Sequence, residues 1–377
     1  MSLISKLILT NFRNFSYRKI ELDSPITLFT GINGVGKTNV LEAVTLIDQT
    51  ASLRKCNLEE MILRDRSPDI SSQKNSQQFT VYAEISNCEF IEKIAVSFDA
   101  KQKKKSFYIN GELFNNKRQG DLQNKIPRFI YLTPQLEQVF ILGKSERRDY
   151  LDKIVSDIDY AHNKRINDYQ KLLKERLIIL QKYRSQKTSE KWLSVIENNI
   201  VELGTAIASA RIEAVEFFNK AIASFSSNFP KPELLVTGDV EQYVMKQSAV
   251  QLEEFYKNKL VENREIDSEN FKTNFGVHRS DFDAIFTSKN TSAIYSSTGE
   301  QKSIMLGITL ARAKISSQYK NQTTAMVFDE VMSHLDDKRK SDLFDEIQMT
   351  GLQTFCSATS LDLVPSGTRN KIHLIDI

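Results

Sequence analysis

The segment Gly31-Ile32-Asn33-Gly34-Val35-Gly36-Lys37-Thr38 constrains the fold of this chain more than any other. It joins a short apolar run, Pro25 to Thr30, to a helix pattern from Asn39 to Asp48. Glycines at these spacings let the backbone curl its amides around a phosphate. The helix that follows aims its amide-rich, partly positive end at the same point. Lys37 adds a fixed positive charge for the β and γ phosphates of ATP, and Thr38 offers a hydroxyl to Mg²⁺. A glycine turn arising by chance before a helix is the plain alternative. The complete motif between a strand and a helix argues against it, and a P-loop implies an α/β fold.

The acidic partner of such a loop is present. Thr324-Ala325-Met326-Val327-Phe328 reads as an apolar strand that ends in Asp329-Glu330. Strands of parallel sheets are buried on both faces, so carboxylates at the carboxyl end belong beside the ligand. Asp329 is expected in the Mg²⁺ shell, and Glu330 is placed to polarise the attacking water. Lys37, Asp329 and Glu330 are the candidate catalytic residues. An acid pair of this kind also marks strands that merely leave a core; the P-loop decides for function.

Ser296-Ser297-Thr298-Gly299-Glu300-Gln301-Lys302 precedes an amphipathic helix, Ile304 to Ala313. It could simply cap that helix. It also resembles the Leu-Ser-Gly-Gly-Gln signature of ABC-type ATPases, in the expected place before the acidic strand. Ser297, Gly299 and Glu300 hold matching positions, while Thr298 replaces a glycine of the broader motif. The helix amino terminus and the Ser297 hydroxyl could then bind the γ-phosphate held by another subunit's P-loop. Ser333-His334-Leu335-Asp336 resembles the D-loop, with Asp336 its acid, and Thr359 stands at the switch position, usually a histidine. Gln135 and Gln138 are candidates for the glutamine that senses γ-phosphate or are ordinary surface glutamines.

The rest of the chain is consistent with this. Ser5 to Phe15, Tyr17 to Leu22, Phe79 to Ser86, Ile91 to Phe98 and Ser106 to Phe114 alternate like antiparallel strands, with Asn110-Gly111 marking a turn. From Glu137 to about Phe225 the pattern turns helical, with apolar stripes at Ile166, Tyr169, Leu173, Leu177 and Leu180 and at Leu193, Ile196, Ile200, Leu203 and Ile207. Two antiparallel helices of moderate length are expected. The division predicted is a nucleotide-binding head from 1–136 plus 271–377, interrupted by a mainly helical domain, 137–270. Three cysteines, Cys56, Cys88 and Cys356, form no zinc motif and fit a reducing cytosol. The amino terminus reads as a strand, and no apolar run is long enough to span a bilayer. The chain is expected to be soluble and cytoplasmic.

Three further segments resemble the RecF family of recombination-repair proteins. They are Thr10-Asn11-Phe12-Arg13-Asn14-Phe15, the Gly-x-x-x-Arg-Arg-x-x-Leu-Asp run from Gly143 to Asp152, and Gly276-Val277-His278-Arg279-Ser280-Asp281. Together with the motifs above, the resemblance covers the chain from end to end. It implies an ABC/SMC-type P-loop head with ATP and Mg²⁺ as ligands, a weak ATPase and head-to-head dimerisation with ATP. It also implies binding to double-stranded DNA and to single-strand/double-strand junctions at gaps, with RecR, RecO and RecA as partners. A transporter's nucleotide-binding subunit and another SMC-like head are the alternatives. Transporter subunits lack so long an inserted domain, and the long arms of SMC proteins are absent.

The net charge of +3 permits nucleic-acid binding without arguing for it. Lys164 to Lys191 has a basic bias, in which Lys171, Lys174 and Arg176 are candidate phosphate ligands. Arg147 and Arg148 are further candidates, for DNA phosphate or for an interdomain latch. Solvated helix faces often look the same. Arg13 could touch nucleotide or be a strand-edge surface residue. His278 and Arg279 have no evident metal partners and are expected to have a structural or interface role.

Overall fold

The computed structural model describes residues 3–22, 24–48, 53, 57–63, 77–86, 90–114, 126–184, 190–318, 323–333 and 335–377, with the backbone alone described at 182–184 and 249. Cys56, Cys88, Lys187 and His334 lie outside these residues. The chain divides into two compact units, one of Met1–Leu136, Phe225–Phe229 and Thr309–Ile377, the other of Glu137–Ser224 and Pro230–Ile308.

The first unit holds two sheets. Strands β1 (Leu3–Phe12), β2 (Phe15–Glu21), β4 (Gln78–Ser86), β5 (Ile91–Asp99), β6 (Lys104–Ile109) and β7 (Glu112–Leu113) form an antiparallel sheet in the order β2-β1-β4-β5-β6-β7. Burial alternates along β4 and β5, as a one-sided sheet requires. Asn110 and Gly111 both take positive φ, 50° and 87°, which is the backbone that a two-residue hairpin between twisted strands demands. Strands β3 (Ile26–Thr30), β8 (Arg128–Leu132), β12 (Thr324–Phe328), β13 (Gln353–Ser357) and β14 (His373–Asp376) form an all-parallel sheet, β14-β3-β13-β12-β8. Every residue of β3, β12 and β13 is buried, as strands covered on both faces require, including the polar Thr27, Gln353, Thr354 and Ser357. Helix α1 (Lys37–Leu46) packs Val40, Leu41 and Val44 into the core that Leu7, Leu9, Phe29, Val81, Val96, Val327 and Phe355 share. Burying each such side chain contributes about 1.5–3 kcal/mol. The amide of Gln353 joins the two sheets, accepting from Ile4 N–H at 2.7 Å and donating to Ile4 O at 2.8 Å. A single helical turn, α2 (Pro134–Glu137), follows β8.

In the second unit, helices α3 (Lys144–Val155), α4 (His162–Arg184) and α5 (Glu190–Ala223) lead into strand β9 (Glu233–Thr237) and the shorter helices α6 (Asp239–Val244), α7 (Ala249–Glu262) and α8 (Arg264–Asn270). Helices α4 and α5 pack together as expected, with Tyr169, Leu180, Leu193, Ile196, Ile200 and Ile207 in one core. At 34 residues α5 is longer than the moderate length foreseen. Strand β9 was not foreseen. It pairs antiparallel with β10 (Asp281–Phe286), and β10 pairs with β11 (Thr291–Ser292). That pairing draws residues 271–308 into this unit, whereas the sequence assigned them to the head. Helix α9 (Thr298–Gln318) is continuous through the division after Ile308.

Candidate functional site

The carboxyl ends of β3 and β12 carry the predicted nucleotide residues, on either side of β13. Leaving β3, the chain turns through Gly31, Gly34 and Gly36 at φ of 143°, 91° and 118°. Two of these glycines are also demanded by space. A Cβ at Gly31 would lie 2.9 Å from Val35 Cγ2, and one at Gly36 would lie 2.7 Å from Asn14 Nδ2 and Phe15 Cζ. Gly36 caps α1, whose first turn contains no acid, so its free amides favour an anion. Lys37 is buried within the loop, where Nζ donates to Gly31 O at 2.7 Å and Ile32 O at 3.0 Å. Ile32, Asn33 and Gly34 are exposed.

Thr38 Oγ1 donates to Asp329 Oδ1 at 3.0 Å, across 291 residues of sequence. Two hard oxygen donors set side by side at the start of α1 fit Mg²⁺, which takes few protein ligands and completes its shell with water and phosphate. Glu330 follows at φ 54°, a left-handed conformation that costs a residue with a Cβ about 1–3 kcal/mol and recurs at functional sites. Its N–H donates to Ser357 Oγ at 2.9 Å, and its carbonyl accepts from Ser333 Oγ at 2.7 Å. Ser357 Oγ donates to Asp329 Oδ1 at 2.8 Å. Gln135 is exposed, three residues beyond the end of β8, the strand paired with β12. Thr359 is exposed just past β13.

Two functional residues escaped the sequence reading. Asn14 donates to Val35 O at 2.7 Å and accepts from Asn39 Nδ2 at 2.8 Å, so the hairpin turn between β1 and β2 braces the phosphate loop. Beside it, Arg13 forms a bidentate pair with Glu42 of α1, at 2.6 and 2.8 Å, and donates to Glu60 O at 2.8 Å, so it is not a free surface arginine. Ser357 is the other. The segment from Thr10 to Phe15 was noticed only for its resemblance, and a serine ending a strand carries no signal of its own.

The signature segment belongs to the second unit. Ser297 caps α9, its carbonyl accepting from Gln301 N–H at 2.9 Å, and its own N–H donates to Glu300 Oε2 at 2.8 Å. Glu300 thus reaches back over the helix start in the manner of a capping box, as expected of a glutamate at that position. Lys289, 2.6 Å from Glu300 Oε1, holds that carboxyl down to about 2. The Gln301 side chain is buried and donates to Ala293 O at 2.7 Å, so it supports the turn before the helix. Ser297 and Thr298 are exposed and Gly299 is partly so. In the first unit, Asp336 caps α10 (Asp337–Thr350), accepting from Arg339 N–H at 2.9 Å, and is otherwise exposed.

Three arginines read from sequence as DNA candidates need correction. Arg176 is fully buried, bonded to Glu197 at 3.0 Å, Asp267 at 2.6 Å, Thr273 and the Leu260 carbonyl. Arg147 is buried in a bidentate pair with Asp281, both bonds 2.8 Å. Arg148 is half-buried and donates to Ser280 O at 2.8 Å. A guanidinium so engaged cannot turn to a phosphate without leaving carboxylates or carbonyls unpaired. The two family-like segments therefore meet as one fastening inside the second unit. Arg211 adds a bidentate pair with Asp152 and reaches Glu241 and the Val277 carbonyl. His278 is structural: its Nε2 donates to Thr273 O at 2.8 Å, so Nδ1 accepts from Tyr169 at 3.0 Å, and burial pushes the ring down to about 4. Lys171 and Lys174 remain exposed on α4.

Among the described residues no group of three or more His, Cys, Asp or Glu side chains could hold a metal, and no helix is long and apolar enough to cross a membrane. Residues 3–370 match the sequence pattern of the RecF/RecN/SMC N terminal domain. The DNA replication and repair protein RecF of Rickettsia bellii (strain OSU 85-389) is 33% identical over 99% of both chains. That of Rhizobium rhizogenes is 32% identical over 94% of this chain and 92% of its own. Among solved structures, the recombination mediator protein RecF-ATPrS in the RecFOR pathway superposes with TM-score 0.75 at 24% identity, covering 96% of this chain and 94% of that one. An Smc head domain with an extended coiled coil, from Pyrococcus furiosus, gives 0.55 at 16% identity, over 96% of this chain and 91% of that one. A transporter subunit is thereby set aside, and the ABC/SMC-type head expected from the motifs stands. The chain belongs to the RecF/RecN/SMC N-terminal family and, within it, to the RecF proteins of DNA replication and repair.

Proposed function

We propose that this chain is a weak, Mg²⁺-dependent ATPase that dimerises with ATP on DNA, and that the observation carrying this reading is the Thr38–Asp329 hydrogen bond of 3.0 Å beneath the phosphate loop. Lys37 and the α1 amides hold the β and γ phosphates. Mg²⁺, bound by Thr38 and Asp329, supplies charge neutralisation on those phosphates. Glu330 takes the proton of the attacking water as its oxygen bonds to the γ phosphorus and the β–γ bridging oxygen departs. Ser297, Thr298 and Gly299 at the start of α9 serve the nucleotide of a second copy, with Asp336, Thr359 and Gln135 as interface and γ-phosphate sensors. DNA is held through phosphates by the exposed stripe that includes Lys171 and Lys174, without sequence readout. Gapped DNA and single-strand/double-strand junctions as substrate, cooperation with RecR and RecO in loading RecA, and a cytoplasmic site of action are proposed from family membership.

Mixing two variants tests the composite site. Ser297→Arg should bind ATP as a monomer but fail to dimerise, and Lys37→Ala should fail to bind ATP. Together they supply one intact P-loop and one intact signature, so partial ATPase activity should return on mixing. Normal dimerisation and hydrolysis by Ser297→Arg alone would reduce Ser297 to a helix cap and end the composite-site reading.

A further inference from the structure

The Ser357 hydroxyl stands between the two acids and has no part in the reaction described above. Its side chain is fully buried. It donates to Asp329 Oδ1 at 2.8 Å, the same oxygen that accepts from Thr38 at 3.0 Å, and it accepts from Glu330 N–H at 2.9 Å. We propose that Ser357 is a positioning residue that tunes Mg²⁺ affinity and water activation together.

Two physical features support this. Hydroxyls from two different elements meet one carboxylate oxygen, which fixes the plane of the Asp329 carboxylate with respect to Thr38. The bond to Glu330 N–H holds the acid's backbone at its left-handed φ of 54°, a conformation that survives only where neighbours over-determine it. Ser357 itself cannot drift. It ends β13, between the strand that feeds the P-loop and the strand that delivers the acids, and the next residue, Ala358, donates its N–H to Phe29 O at 3.0 Å. A serine present only to fill space would turn its hydroxyl to a local carbonyl; here both bonds run to the acid pair. The inference rests on the proposed assignment of Asp329 to Mg²⁺ and of Glu330 to water.

The test compares Ser357→Ala and Ser357→Thr with the parent protein in two readouts. One is Mg²⁺ titration of a fluorescent ATP analogue binding at equilibrium; the other is steady-state hydrolysis. Loss of one charge-assisted hydrogen bond should raise the Mg²⁺ concentration for half-maximal binding about tenfold in Ser357→Ala. The same variant should lower kcat by about tenfold or more, while analogue affinity at saturating Mg²⁺ stays within about threefold. Ser357→Thr, which keeps the hydroxyl, should recover both. A Ser357→Ala protein that titrates like the parent overturns the proposal. So does loss of binding at saturating Mg²⁺ in both variants with a lowered melting point, which would mark a packing role. If the parent protein binds nucleotide but never hydrolyses it, the ATPase reading fails, and the Mg²⁺ titration still decides the role of Ser357.

Discussion

Replacing Arg176 by methionine should unfold the second unit more easily and leave DNA binding as it was. The guanidinium is fully buried, and its removal strips Asp267 of a 2.6 Å ionic partner. The Asp267 carboxylate is then left with Asn274, through N–H at 2.9 Å and Nδ2 at 2.8 Å. Glu197 suffers less, because Arg264 still holds it, with its closest bond 2.5 Å. Breaking one side of a buried ion pair costs about 3–5 kcal/mol, and here the stranded charge is Asp267. For a unit of this size that corresponds to a fall in melting temperature of about 6–20 °C. Arg176→Met with Asp267→Asn should recover part of the stability, since the stranded charge is gone. Differential scanning calorimetry of the single and double variants reads the effect, alongside DNA affinity measured across a salt series. An Arg176→Met protein that melts like the parent, with a flatter salt dependence of DNA binding, would mean that the guanidinium faces phosphate and that the burial argument is wrong.

Changing Lys171 and Lys174 to alanine should weaken DNA binding equally across sequences and flatten its log–log salt slope by about 0.9 for each phosphate that a lysine no longer neutralises; an unchanged slope moves the DNA site elsewhere. Protonation of His278 gives a second handle on the same unit. Its folded value, about 4, lies below the usual 6.5, so the unfolded chain binds the extra proton and stability falls as pH drops from 6.5 towards 4. The full loss is about 3 kcal/mol, and His278→Gln should show a flatter melting-temperature profile over that window; parallel profiles would refute it.

The nucleotide half of the site was legible because its chemistry is local. Three glycines, a lysine and a threonine in one octapeptide state their purpose wherever they fold, and β12 and β13 run over the segments read as strands, Thr324–Phe328 and Gln353–Ser357. What sequence reading could not supply were partnerships between distant segments. Arg176 looks like its basic neighbours in a linear run, and only the fold sends it inward to Glu197 and Asp267. Strand β9 is a five-residue run whose partner comes after three helices, so no periodicity announces it. Asn14 and Ser357 are common polar residues, given meaning by the Val35 carbonyl and by the acids they hold.

The parallel sheet also sets a timetable for synthesis. The phosphate loop emerges early, but Asp329, against which Thr38 closes, follows 291 residues later, and β13, the neighbour of β3, later still. At a translation rate of about 5–20 residues per second, the two halves of the cradle are separated by roughly 15–60 s on the ribosome. The antiparallel sheet suffers no such delay, because β1, β2, β4, β5 and β6 are all made within the first third of the chain. A nascent chain can therefore carry a folded amino-terminal sheet while its phosphate loop still lacks a neighbouring strand and an acid to face. The loop gains its last neighbours only when β13 and then β14 have slotted in on either side of β3.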